Sequence, residues 1–258
     1  MISAYDLPYR ALLSPPGQSE RGLDFELKLL FDDVPSGDQV ETAAALVMTF
    51  DALVASGGLG GRKISPANAD IEYSEFVGIR GHEIHWKIGG MRLDDAAQII
   101  LAQSFMMLKG SSRLLEISLS PQGFSGKLIE PEKSSVRDDP YPGLHPSTEA
   151  VLVSDGDYSS DILVTAIFEN QPRGESADEV LGRIGSWMVG AVSGFYPVAP
   201  VEPEFCSVRD PGEIRFYKNE IEIPLHRFLC HAGALNGLAN AILATGNNAP
   251  QVRSIIVE

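Results

Sequence analysis

An internal repeat with a constant spacing of 137 residues runs through this chain of 258 residues. The spacing relates identical residues in the two halves: Phe31 and Phe168, Pro35 and Pro172, Gly37 and Gly174, Gly57 and Gly194, Leu101 and Leu238. Because turns, helix ends and apolar positions recur without a gap, each half is expected to fold as one copy of the same unit. The repeat constrains the architecture more than any single motif does, and by itself it specifies no chemistry.

The order of patterns within each half predicts the fold. Residues 24–31 and 162–168 alternate apolar and polar, as in a strand with one buried face. A helix, a hairpin, a second helix and a closing strand follow, which is the β-α-β-β-α-β order of the ferredoxin-like unit. We therefore predict an α+β fold built as a tandem duplication of a ferredoxin-like unit, with antiparallel sheets that carry both helices on one face. The free face of each sheet is expected to pack against its twin or to extend into one continuous sheet.

Segment boundaries follow from the repeat and from composition. We predict an N-terminal leader at 1–20, a first repeat at 21–120, a proline-rich and acidic linker at 121–157, and a second repeat at 158–258. A short extra strand is predicted within the linker at 150–153. The first helix of the first repeat is expected to begin at Asp38 as its N-cap, with Glu41 completing a capping box.

The formal net charge of −15 is the strongest signal in the composition. Such a chain repels nucleic acid and anionic membrane surfaces and attracts a basic partner, although many proteins are acidic simply to stay in solution. The sequence has no apolar run near the roughly 20 residues that span a bilayer, and residues 1–20 lack the features of a signal peptide. These features predict a cytoplasmic protein that binds neither nucleic acid nor membrane.

Motifs that would carry catalysis or metal binding are missing from the sequence. The glycine-rich loop at 57–61 follows a helix and leads to a strand, whereas a phosphate-binding loop precedes a helix. His226 and Cys230 would share a face if they were helical, but further ligands are not near them in sequence. The aspartates at 155, 157 and 161 do not have the spacing of a calcium loop. We predict no catalytic residue, no metal site and no cofactor, and we expect Cys206 and Cys230 to be ordinary thiols.

In size, acidity and lack of catalytic motifs, the chain resembles the bacterial immunity proteins, which block a toxic effector inside the cell that makes it. The resemblance implies a basic protein partner, a secreted antibacterial toxin that in this class is often a nuclease. It also implies that acidic side chains of the inhibitor occupy the phosphate positions of the toxin. The carboxylates on predicted loops form the expected partner-binding set: Asp32, Asp33, Glu130, Glu132, Asp138, Asp139, Asp155 and Asp157.

An enzyme or small-ligand binder is the alternative, with a pocket between two ferredoxin-like sheets. Its expected lining groups lie on or just after the central hairpins: Arg80, His85, Trp86, Arg215, Tyr217, Glu222 and His226. A structural scaffold is a third hypothesis. In each case we expect the functional residues where the halves diverge: in the glycine-rich loop against its proline-rich counterpart, at His82 against Asn219, and across residues 121–160.

Overall fold

The computed structural model describes residues 3–4, 7–61, 63–133, 151–152, 161–196, 208–230, 233–245 and 249–258. The first half contains β1 (Ser3–Ala4), β2 (Arg10–Leu13), β3 (Leu23–Phe31), α1 (Gly37–Ala55), the 3-10 helix η1 (Pro66–Asn68), β4 (Tyr73–Arg80), β5 (Glu83–Met91), α2 (Asp95–Ser104), η2 (Phe105–Met107), β6 (Leu114–Pro121) and β7 (Glu132–Lys133). The second half contains β8 (Val151–Leu152), β9 (Ile162–Phe168), α3 (Glu175–Val192), β10 (Val208–Pro211), β11 (Arg215–Tyr217), β12 (Glu220–Phe228), α4 (Gly233–Leu243) and β13 (Val252–Val257). The chain is therefore a mixed α+β protein, as predicted.

Two mainly antiparallel sheets are built in the same order. The first sheet runs β2-β6-β3-β5-β4, and the second runs β10-β12-β9-β13-β8, with β11 also paired to β12. Strand β6 lies antiparallel beside β3 in the first sheet, and β13 lies antiparallel beside β9 in the second. A further short strand lies parallel to each of these closing strands: β2 beside β6, and β8 beside β13. The extra strand predicted at 150–153 is confirmed as β8. The region predicted as a leader contributes β2 to the first sheet, which the sequence analysis did not anticipate.

The N-cap of helix α1 lies two residues before the predicted position, at Ser36 instead of Asp38. Ser36 is the N-cap: its hydroxyl accepts a hydrogen bond from the Gln39 amide at 3.3 Å, and Gln39 Oε1 accepts one from the Ser36 amide at 3.1 Å. The prediction of a capping box at Asp38 and Glu41 was therefore wrong. A serine hydroxyl three residues before a glutamine satisfies two free helix N–H groups reciprocally, so the box forms there and places Asp38 in the first turn.

The helices lie between the two sheets. Strand β3 buries Phe25, Leu27, Leu29 and Phe31 on its helix side and leaves the alternate residues partly exposed. The main contacts between the halves join α1 to α3 and η1 to α4, and the buried residues of both halves form one apolar core. The expectation that the free faces of the two sheets meet was wrong. The two halves contact each other through their helices instead.

Helices α2 and α4 are also buried within this core. Residues 96–104 of α2 and 233–242 of α4 are all buried, so these helices need apolar neighbours on every side. Within the part of the chain that the structure describes, no helix is both long and apolar enough to cross a membrane.

The glycine-rich loop at 57–61 is part of the contact between the halves. Its five residues are buried, and the Gly60 carbonyl accepts a hydrogen bond from Asn240 Nδ2 of α4 at 2.7 Å. A Cβ at Gly58 would lie 3.1 Å from the Gly237 carbonyl oxygen of α4. Leu53 of α1 contacts Gly190 of α3. The 137-residue spacing relates these two positions. The loop therefore owes its glycines to close packing of backbone against backbone.

Candidate functional site

An open cleft of about 460 Å³ lies at the end of the first sheet where β2 and β6 begin. Its walls come from three segments: residues 7–11, residues 113–115, and Glu130, Pro131 and Lys133. Tyr9 anchors one wall, because its hydroxyl donates a 2.6 Å hydrogen bond to the Ala102 carbonyl of α2. Burial raises the pKa of this phenol, so Tyr9 remains a neutral structural group. The cleft combines apolar walls with a charged rim.

Ion pairs on the rim of the cleft are long and exposed. Arg10 lies 3.4 Å from the carboxylates of both Glu116 and Glu130, and the Arg10 side chain is 56% exposed. Arg113 lies 3.9 Å from the Asp32 carboxylate and is 75% exposed. Exposed pairs of this kind contribute about 0–1 kcal/mol each. An incoming charged side chain can therefore replace either member at little energetic cost.

Two of the predicted acidic residues, Asp32 and Glu130, lie at this rim. Asp32 also accepts a 2.7 Å hydrogen bond from the Arg113 amide, which fixes its carboxylate beside the cleft. Asp33 instead accepts a hydrogen bond from the Val34 amide at 2.7 Å and stabilises the turn that leads to α1. Glu132 is exposed on β7, next to the Lys133 wall residue. The other four predicted carboxylates lie outside the described residues: Asp138, Asp139, Asp155 and Asp157.

The residues named for the pocket alternative are not brought together. Trp86 is buried against the helices, whereas His85 lies on the opposite face of β5, where its Nε2 is 3.0 Å from Glu83. The other half of the set is on the second sheet, where Arg215 pairs with Glu222 across β11 and β12. With the helices between the sheets, these groups do not line one space. The enzyme or ligand-binder hypothesis stays a prediction.

His226 and Cys230 do not lie on a helix, so they do not share the face that a pair of metal ligands four residues apart would need. His226 lies in strand β12, and its Nδ1 is 3.1 Å from the Asp161 carboxylate. A hydrogen bond from the Arg227 amide, and to a smaller extent one from the His226 side chain, lowers the pKa of Asp161. Cys230 is buried beyond the end of that strand, where its Sγ lies 3.7 Å from the Ala191 carbonyl oxygen. Among the described residues, no three His, Cys, Asp or Glu side chains are arranged to hold a metal ion.

A buried carboxyl at the start of α2 was missed as a special group by the sequence analysis. Asp94 is 1% exposed, and one of its oxygens accepts a 3.3 Å hydrogen bond from the Ile64 amide. Its other oxygen has no hydrogen-bond partner among the described residues, and burial raises the pKa of Asp94 to about 6. The adjacent Asp95 is better satisfied, since it binds Lys63 Nζ at 2.9 Å and the Gly17 amide at 2.9 Å. The sequence signal for this buried carboxyl is two adjacent aspartates, Asp94 and Asp95, at the start of a helix that contains no other charged residue.

Comparison with known proteins identifies no family for this chain. No family model matches it, and no curated protein does. Two solved structures are similar at a low level. A Cas6 product complex aligns with TM-score 0.20 and 12% identity over 92% of this chain and 99% of its own. An oxyferrous complex of DtpA from Streptomyces lividans aligns with TM-score 0.19 and 11% identity over 99% of this chain and 93% of its own.

Proposed function

We propose that this chain is a cytoplasmic binding protein that neutralises a basic protein partner, as a bacterial immunity protein does for a secreted antibacterial toxin. The observation that carries the proposal is the placement of Glu130 in the wall of one open cleft and of Asp32 beside Arg113 of that wall, with exposed cation contacts of 3.4 Å and 3.9 Å. A basic partner replaces Arg10 and Arg113 at these carboxylates and inserts apolar atoms between the walls.

The distribution of charge supports the same proposal. The linker at 121–157 carries seven carboxylates against three cations, and its residues Glu130, Pro131 and Lys133 line the cleft. An excess of one charge raises the local concentration of an oppositely charged partner and speeds association. Two further predicted carboxylates, Asp138 and Asp139, belong to the same acidic linker in sequence.

We also propose that the two halves are a tandem duplication of a ferredoxin-like unit. The support is the shared strand order of the two sheets. The closing strand, β6 or β13, lies beside the opening strand, β3 or β9, and β4 or β10 lies at the far edge. The contact between the repeat-related residues Leu53 and Gly190 supports it as well. In such a duplication each half is free to keep the scaffold while its loops diverge toward a partner.

The test uses the product of the gene adjacent to that of this chain as the binding partner. We expect its association rate with the native chain to fall at least about tenfold between low and high salt, since screening removes steering by exposed charges. A double variant, Asp32→Asn with Glu130→Gln, keeps both acceptors and removes two charges. It is expected to slow association several-fold while folding normally.

A matched variant isolates the site from the net charge. Glu220→Gln with Glu222→Gln removes the same two charges from β12, on the second sheet. We expect this control to retain nearly native association. Equal effects of the two double variants would contradict a role for the cleft, and an association rate that does not depend on salt would contradict the electrostatic proposal.

A further inference from the structure

Strand β4 forms an apolar edge of the first sheet. It is the last strand in the order β2-β6-β3-β5-β4, so one row of its backbone groups has no strand beside it within the described residues. Phe76, Val77 and Ile79 on this strand are 48%, 41% and 46% exposed. An open edge with large apolar side chains is a template for pairing with another strand.

The neighbouring helix extends the same apolar surface. The Asp51 carboxylate of α1 binds the Ser74 hydroxyl of β4, which places this side of the helix over the strand. Met48 lies one turn earlier on that side and is 70% exposed. The Phe76 ring packs on Trp86 with ring centroids 5.4 Å apart, so its outer part alone remains uncovered. Together, Met48, Phe76, Val77 and Ile79 form what we call the β4 edge patch.

A β-bulge in β4 changes the alternation of its side chains. The pairing with β5 shifts between Phe76 and Gly78, with Val77 as the additional residue. Consequently, Phe76 opposite Trp86 and Ile79 opposite Ile84 both face the helices, although they are three residues apart. Glu75 opposite Lys87 and Arg80 opposite Glu83 both face away from the helices. The bulge thus gives the strand a self-complementary pattern that regular alternation does not allow.

Two copies of this strand fit each other in one antiparallel register. When Phe76 of one copy lies opposite Ile79 of the other, Glu75 lies opposite Arg80 on the other face of the sheet. The two-fold symmetry repeats both pairs, and the two bulges lie opposite each other at the centre. Glu75 and Arg80 make no ion pair with any described residue, so both charges are available for this contact.

We propose that the chain forms a two-fold dimer through antiparallel pairing of β4 with β4 of a second copy. The pairing joins the two five-stranded sheets into one continuous sheet and buries the β4 edge patch. Opposite charges directly across the new strand pair stabilise the dimer, and like charges there destabilise it. This dimer contact is separate from the cleft at β2 and β6, so it does not depend on the proposed function.

Sedimentation analysis of the full chain over a range on the order of 1–100 µM tests the proposal. We expect a reversible dimer for the native chain. Glu75→Arg and Arg80→Glu, each alone, place like charges opposite each other twice per dimer and are expected to raise the dimer Kd about tenfold or more. Ile79→Lys, which places a charge in the apolar edge, is expected to give a monomer. Val34→Lys is the matched control at an exposed apolar residue away from β4, and it is expected to remain dimeric.

Mixing the two charge variants makes the test specific to the register. Glu75→Arg in one chain lies opposite the glutamate of Arg80→Glu in the other, and the remaining pair is native Arg80 opposite native Glu75. We therefore expect the equimolar mixture to form a heterodimer with nearly native Kd although each variant alone is weakened. A native chain that stays monomeric over the whole range overturns the proposal, as does a dimer whose Kd neither charge variant changes. Weakened single variants that fail to recover on mixing also overturn it.

Discussion

Gly57→Ala is expected to lower the free energy of unfolding by about 3 kcal/mol, through a combination of backbone strain and overpacking. Gly57 has a φ of 81°, a left-handed conformation that an L-residue adopts at a cost of about 1–2 kcal/mol. An added Cβ would lie 2.3 Å from the Ala244 Cβ, just beyond α4, and 2.9 Å from the Pro66 carbonyl oxygen. Neither neighbour is the end of a flexible side chain, so the two halves must separate slightly to admit the methyl group.

Gly123→Ala is the matched control for this prediction. Gly123 has a φ of 71°, but no atom lies within 4 Å of the position that its Cβ would take. It is expected to lose about 1 kcal/mol, which is the backbone term alone. Urea unfolding of both variants measures the difference. If the two variants lose the same stability, the glycine-rich loop does not pack tightly against the second half as the structure describes.

Local patterns were sufficient to predict most of the individual elements. The alternation at 162–168 matches β9 residue for residue, and the hairpin predicted in each half is formed by β4 with β5 and by β11 with β12. These features depend on neighbouring residues, which a sequence displays directly. The shift of two residues in the N-cap of α1 arose because two side chains within the same turn compete for the free amide groups.

The arrangement of the layers was not predicted, although the sequence contained a signal for it. Beyond Asp95, neither α2 nor α4 contains a charged residue. A short helix without charges requires burial on all sides, which indicates a second layer of helices rather than solvent or a facing sheet. The turn and cap patterns were read for local structure alone, so this requirement was overlooked.

The candidate surfaces were harder to predict because they depend on contacts between distant residues. The cleft requires Arg10, Arg113 and Glu130 to meet, and β2 was assigned to a leader. The β4 edge patch depends on a bulge at Val77, and the only sign of it in the strand is the adjacent Gly78, which has a φ of 136°. Asp94 occupies the N-cap position of α2, yet its side chain makes no cap hydrogen bond, because the carboxylate is directed to the Ile64 amide instead.

Asp94→Asn is expected to stabilise the protein at neutral pH by up to about 3 kcal/mol, since one pKa unit corresponds to about 1.4 kcal/mol. Burial raises the pKa of Asp94 from its ordinary value of 3.8 to about 6, so the folded chain holds this proton more tightly than the unfolded chain does. The stability that the protonated form contributes is complete below about pH 4 and is lost as the pH rises through about 6. Asparagine is neutral at every pH and retains an acceptor for the Ile64 amide.

The pH dependence separates this effect from a general change in packing. The stability difference between Asp94→Asn and the native chain is expected to be near zero at about pH 4 and to grow until about pH 7. Asp95→Asn serves as the control, because Asp95 accepts hydrogen bonds from Gly17 and Ser19 and binds Lys63, so its neutralisation is expected to destabilise the protein at pH 7. A constant difference across this pH range would contradict the raised pKa of Asp94. Opposite signs for two adjacent aspartates would demonstrate that burial without a full set of partners, rather than position at the helix start, determines the energetic role of each carboxylate.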